Sequence, residues 1–185
     1  ILHMSDTSKI IRQRISSAKA KFHANDNIAE FINADELTQL QQEVQIKAQD
    51  LLDSLLIDTK NDHNTQETAK RMAKMFVQEI FHGKYQKPPK LTTFPNAENL
   101  NNLINLGPIT IRSTCSHHFA PLLGEAWVGI LPGDKLFGIS KFSRLIHWFM
   151  SRPHIQEEAI VKLADLLEEK LQPKGLAIAI RAQHH

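Results

Sequence analysis

The sequence predicts an α+β protein, with a helical N-terminal region followed by strands that enclose a pair of helices. Three observations carry this prediction. Between about Asp35 and Ile80, apolar residues recur at three- and four-residue steps, the stripe of amphipathic helices. After Gly107-Pro108 the pattern changes to alternation, with Ile109 and Ile111 set between Thr110 and Arg112. The chain of 185 residues, 42% hydrophobic and 23% charged, is long enough to bury a core and suits one domain with an extension. Residues 1–4 read as an expression remnant ahead of a start methionine, 5–105 as the helical region, and 106–185 as the mixed domain that carries the chemistry.

The elements follow in order. Asp6 to His23 is basic, with Ile10, Ile11, Ile15 and Phe22 loosely at helical spacing, so a marginal helix or arm is expected. Leu37, Leu40, Val44, Ala48, Leu51, Leu52 and Leu55 mark a strong helix. A polar break follows from Asp58, and Asn64 with Glu67 three residues on reads as a capping box. Ala69, Met72, Ala73, Phe76, Val77 and Ile80 give the next helix, with Gly83 as its stop. Lys87-Pro88-Pro89-Lys90 is a loop.

Strands are expected around Ile109–Ile111, over Ala126–Leu131, and from Leu136 to Ile139 after the Pro132-Gly133-Asp134-Lys135 turn. One helix is expected from Ser140 to Met150. A second should start at Pro153, a good first helical residue, and carry Ile155, Ala159, Ile160, Leu163, Leu166, Leu167 and Leu171. Pro173-Lys174-Gly175 stops it, and Leu176–Ile180 is a final strand.

Composition excludes several classes. The net charge is only +2, which offers no global basic field for nucleic acid. No apolar run approaches the roughly 18 residues a membrane helix needs. Cys115 is the single cysteine, so no intrachain disulfide forms, and a reducing, cytoplasmic setting is expected.

Three clusters could do chemistry. Cys115-Ser116-His117-His118 is the densest group of metal-capable side chains. A cysteine and a histidine three apart can reach one zinc ion from a turn, but a catalytic zinc takes about three protein ligands. His184 and His185 are further candidates, and the plain alternative is a buried cysteine beside two surface histidines. Ser140-Lys141-x-x-Arg144 falls where a strand gives way to a helix, a favourable place for phosphate. The alternative there is a solvated basic face capped by Ser140. Gln156-Glu157-Glu158 opens the next helix, where acidic residues are expected for the helix dipole alone; the functional alternative is a carboxylate that recognises the N–H edge of a base such as guanine.

Together these segments resemble the GTP cyclohydrolase I family. The resemblance runs from about Asn64 onward and is carried by ETAKRMAKM (67–75), RSTCSHHF (112–119), GISKFSR (138–144) and RPHIQE (152–157). It implies opening of the GTP imidazole ring, release of formate and reclosure as 7,8-dihydroneopterin triphosphate, the first step of folate and pterin biosynthesis. It also implies a tunnelling fold: an antiparallel sheet with two helices, closed into a barrel by homo-oligomerisation, commonly a decamer, with sites between subunits. Cys115 and His118 match zinc ligands, His117 and His184 match proton-transfer residues, and Ser140, Lys141 and Arg144 match ribose and triphosphate contacts. Gln156 and Glu157 match the guanine-recognition pair, and Arg71 and Lys74 lie where the family has basic residues near the triphosphate.

The family's third zinc ligand, a cysteine, is expected just after His185, followed by an arginine and a last strand. A protein truly ending at His185 is expected to bind zinc weakly and to turn over little GTP. In that case the rival expectation is a noncatalytic purine- or pterin-triphosphate-binding or assembly homologue. Another tunnelling-fold enzyme, a pterin synthase or nitrile reductase, fits the Cys-x-x-His and Gln-Glu pairing less well.

Overall fold

The computed structural model describes residues 6–184; residues 1–4, expected to be an expression remnant, and the candidate ligand His185 lie outside the described residues. The chain forms two compact units, residues 1–87 and 88–185.

In the first unit, α1 (Thr7–Ser17) buries Ile11 and Ile15 against Ile28, while Ile10 and Phe22 stay exposed. The expected arm is therefore a packed helix. Its stability comes from burying one face, because a helix of this length is marginal alone. Helix α2 (Ala34–Ser54) opens with a full capping box: the Glu36 amide donates to Asn33 Oδ1 at 2.9 Å, and the Asn33 amide donates to Glu36 Oε2 at 3.0 Å. The capping box expected at Asn64 does not form. There the side chain of Asp58 accepts from the amides of Lys60 and Asn61, and Asp62 accepts from the amide of Asn64. These Asx bonds spend the chain on turns, so α3 (Thr68–Lys74) starts later, with Glu67 at its N-cap making no side-chain bond.

Gly83 is no stop either. A π-helical stretch, Met75–Ile80, follows α3, the chain bends at Phe81, and Gly83 lies inside the short α4 (His82–Tyr85).

In the second unit, β1 (Thr93–Pro95) pairs antiparallel with β4 (Lys135–Phe137) in a small ribbon. The main sheet has the order β5-β2-β3-β6. Its central pair is β2 (Ile104–Cys115) and β3 (Pro121–Leu131), antiparallel; β6 (Gly175–His184) pairs antiparallel along β3. Strand β5 (Pro153–His154) is two residues long and parallel to β2. Helices α5 (Ile139–Met150) and α6 (Gln156–Leu171) cover one face. Ile111, Leu122, Ala126, Val128 and Ile130 point inward to meet Phe142, Leu145, Ile146, Leu163 and Leu167. The opposite face, with Leu123, Trp127, Ala177 and Ala179, is exposed. This is the expected α+β arrangement, and among the described residues no helix is long and apolar enough to cross a membrane.

Several element boundaries differ from the sequence reading. Strand β2 begins before Gly107-Pro108, which sit inside it at a register shift between Leu106 and Ile109. Gly107 adopts φ +147°, and a Cβ there would lie 2.6 Å from Trp127 Cδ1, so only glycine fits. Ile139 belongs to α5, not to a strand. Pro153 does not start a helix. It pairs with Thr114 in β5, and α6 begins three residues later at Gln156, because the stretch is recruited as a sheet edge. Residues 88–105 go with the sheet rather than with the helices: β1 pairs with β4, and Leu91 and Ile104 pack on the sheet core.

Candidate functional site

Strand β2 delivers Cys115 to its own end, and the chain then reverses within four residues. The Phe119 amide donates to the Cys115 carbonyl and the Cys115 amide donates to the Ala120 carbonyl, both at 2.9 Å. Phe119 takes the left-handed conformation, φ +56°, to close this turn. The result is a compact loop that holds Cys115 half-buried and exposes His117 and His118, whose rings meet edge to face at 6.3 Å. The plain alternative of a fully buried cysteine does not hold.

The loop is tied to the start of α6 through β5. Thr114 pairs with Pro153 and Cys115 with His154, and the Ser116 amide donates to the His154 carbonyl at 3.0 Å. Two residues past His154, Gln156 and Glu157 form the first turn of α6; Glu157 is exposed, and Gln156 Nε2 reaches the Ile180 carbonyl at 3.4 Å. Strand β6 runs toward the same end of the sheet, where His184 pairs with Leu122 and is exposed. Cys115, His117, His118, Gln156, Glu157 and His184 are thus gathered at one end of the sheet. Tertiary pairing does this, since up to about 70 residues of sequence separate them.

Ser140, Lys141 and Arg144 lie elsewhere. All three are exposed in the N-terminal half of α5, whose first turn holds no acidic residue and whose N-cap, Gly138, makes no side-chain bond. Ser140 therefore does not cap the helix. Lys141 Nζ donates to Thr92 Oγ1 at 2.7 Å, which fixes this cation beside the β1–β4 ribbon. From Ser140 to Met150 the helix advances about 15 Å at 1.5 Å per residue, and only then does the chain enter β5. Within one chain, α5 separates the basic cluster from the cysteine–histidine turn. Arg71 and Lys74 are exposed in the last turn of α3, in the first unit.

Sequence reasoning missed Thr92 and His154. Thr92 sits in a loop with no periodic signal. His154 lies inside RPHIQE, but nothing in its spacing marks it as buried. In the structure it is 1% exposed, its ring stacks on Phe149 at 5.0 Å, and its Nε2 bonds the Phe149 carbonyl at 2.8 Å. Burial pushes this imidazole down to about 4; the bond to Phe149 opposes the shift, and Arg152 and Lys162 add to it. Among the described residues, no group of three or more metal-capable side chains converges.

The GTP cyclohydrolase I family model matches residues 44–185. The GTP cyclohydrolase 1 of Vibrio vulnificus (strain YJ016) is 33% identical over 145 residues, 78% of this chain and 66% of that protein. The GTP cyclohydrolase 1 of Wigglesworthia glossinidia brevipalpis is 37% identical over 135 residues, 72% of this chain and 62% of that protein. That of Enterobacter sp. (strain 638) is 36% identical over 126 residues, 68% and 57% of the two chains. The chain spans somewhat less than two thirds of the length of these relatives.

Proposed function

The chain belongs to the GTP cyclohydrolase I family, and on that premise we propose that it hydrolyses and rearranges GTP to 7,8-dihydroneopterin triphosphate with release of formate. The observation that carries this reading is the single end of the sheet where Cys115, His117 and His118 share one turn and β5 leads directly to Gln156 and Glu157. Donors for a metal, groups for proton transfer and a base-recognition pair are what ring opening of guanine requires in one place.

Cys115 and His118 would hold zinc. A thiolate and an imidazole are donors zinc prefers, and both are accessible in the turn, so the residues present fit as part of such a site. The family pattern takes its third ligand from just beyond His185, and β6 runs toward this turn. When bound, zinc supplies Lewis acidity for hydrolysis near neutral pH. His117 and His184 would carry protons to and from the purine ring, because an imidazole offers both a proton donor and a proton acceptor. The Glu157 carboxylate accepts from the N–H edge of guanine, and Gln156 supplies an amide beside it. Ser140, Lys141 and Arg144 would hold the ribose and triphosphate as fixed positive or polar partners.

Because α5 separates the basic cluster from the turn by a helix length, we propose that each complete site takes its base end from one copy and its phosphate end from another. The assembly would be the decamer of tunnelling-fold barrels typical of the family. Two features support this: among the described residues β6 is an edge strand, and the helix-free sheet face exposes Leu123 and Trp127.

The test follows the fluorescent pterin product from GTP and zinc content together. About one zinc per chain is expected in full-length protein. A Cys115→Ala protein that keeps full zinc and full turnover would sink the assignment. The rival reading is a noncatalytic purine- or pterin-triphosphate-binding or assembly homologue. GTP binding without formate release in full-length protein would favour it.

A further inference from the structure

We propose that His154 is a positioning residue: through β5 it sets the Cys115–His118 turn and the Gln156–Glu157 pair as one unit. The proposal rests on the reading of the site given above.

A polar ring in a core costs free energy unless its hydrogen bonds are used. Here the Phe149 carbonyl can only accept, so Nε2 carries the hydrogen and donates to it. Phe149 lies in the last turn of α5, where helix carbonyls lack intrahelical partners, and His154 satisfies one of them from outside. The ring also stacks on the Phe149 side chain, so His154 holds the end of α5 by two contacts. Its backbone faces the other way, with its carbonyl taking the Ser116 amide inside the cysteine–histidine turn.

Strand β5 has little else to fix it. It is two residues long, and parallel pairing contributes little at that length. A second tie stands beside it, where Ser113 Oγ donates to the Arg152 carbonyl at 3.1 Å. The Arg152 guanidinium lies over Trp148 at 4.2 Å and over Phe149 at 5.0 Å, which packs the same corner. The end of α5, the turn after β2 and the first turn of α6 therefore meet at one residue. If the Nε2 donor is lost, β5 is freed to shift, and the turn and the α6 start shift with it. The basic cluster at the far end of α5 does not.

The test compares His154→Phe, which keeps a stacked ring and removes the donor, with His154→Gln, whose side-chain amide can donate to the same carbonyl. Zinc affinity by chelator competition, guanosine affinity and inorganic triphosphate affinity are measured for each, beside the melting temperature. For His154→Phe, zinc and guanosine binding should each weaken about tenfold, as for other residues that orient metal ligands, while triphosphate binding holds. His154→Gln should recover most of both. A lowered melting temperature with unchanged zinc and guanosine affinities would overturn the proposal, as would equal losses for all three probes.

Should His154→Phe fail to fold, Ser113→Ala decides: a smaller loss of zinc and guanosine together is expected, and no loss overturns the proposal. The rate at which a disulfide reagent modifies metal-free Cys115 adds a readout independent of zinc. It should rise in His154→Phe and return in His154→Gln. Wild-type protein that binds neither zinc nor guanosine refutes the reading of the site, and the thiol rate alone then decides the positioning role.

Discussion

Lys141 and Arg144 are three apart, so they project from one side of α5 in its N-terminal half, where helix amides and dipole favour an anion. Cations there oppose the dipole unless a phosphate joins them, which makes their proposed role separable from the one proposed for Gln156 and Glu157. Replacing either by Ala should weaken GTP binding by about tenfold or more, the loss of one charge-assisted contact, and leave guanosine binding nearly unchanged. Calorimetry with the two ligands checks this, and equal losses for both would remove the residues from the phosphate site. Thr92 belongs to the same prediction in a milder form. Its hydroxyl holds Lys141 Nζ, so Thr92→Val should raise the KM for GTP by a few-fold and leave kcat in place.

At the scale of elements, α2 owes its start to Asn33 and Glu36. Removing the Asn33 side chain should cost about 1 kcal/mol, read by urea unfolding of Asn33→Ala. Glu36 also receives both terminal nitrogens of Arg14, at 2.9 and 2.7 Å, which joins α1 to α2. The Arg14 hydrogen bond, then the Asn33 amide, hold the Glu36 carboxyl down to about 2, against an ordinary value of 4.5. Its folded pKa lies below its unfolded one, so its stabilisation is complete above pH 4.5 and is lost as pH falls from there through about 2. Acid titration followed by circular dichroism should show this loss, and Glu36→Gln should flatten it. In the sheet, Gly124 is set by its neighbour: a Cβ there would come within 2.2 Å of the Arg181 carbonyl oxygen. Gly124→Ala should force β3 and β6 apart and cost about 1–3 kcal/mol, whereas Gly175→Ala, whose Cβ meets only Leu131 at 3.5 Å, should be far milder.

At the scale of the whole molecule, α5 sets the Lys141–Arg144 cluster and the cysteine–histidine turn apart in one chain, and under the proposed function these are two half-sites. Cys115→Ala chains retain the basic cluster, and Lys141→Ala chains retain the cysteine–histidine turn. If sites form between copies, each variant alone is inactive while coexpression of the two restores measurable turnover. Coexpressed chains that assemble yet stay inactive would place the complete site within a single chain. The proposed assembly is tested by sedimentation: a species larger than one chain is expected, and Trp127→Glu on the exposed sheet face should reduce its size.

The sequence by itself determined the class of fold, because helical and alternating periodicities reflect local geometry that burial only reinforces: α2 and α5 run as their apolar stripes predict. It also singled out candidate residues for chemistry, since a cysteine beside two histidines, paired cations at a helix start and an acidic first turn are legible as short spacings. Boundaries governed by side-chain competition were less legible. Asn64 was lost to the Asx bonds of Asp58 and Asp62, and Pro153 to pairing with Thr114, and neither outcome can be read from a local window. What tertiary structure alone decided is which clusters meet. Strand register brings His184 and the start of α6 to the Cys115 turn, and the length of α5 keeps Lys141 and Arg144 away from it. Burial turned His154, an ordinary letter in the sequence, into the tie between three elements. The reason is physical: spacing along a chain fixes neighbours within a turn or two, whereas pairing between strands far apart in sequence exists only once the sheet has formed.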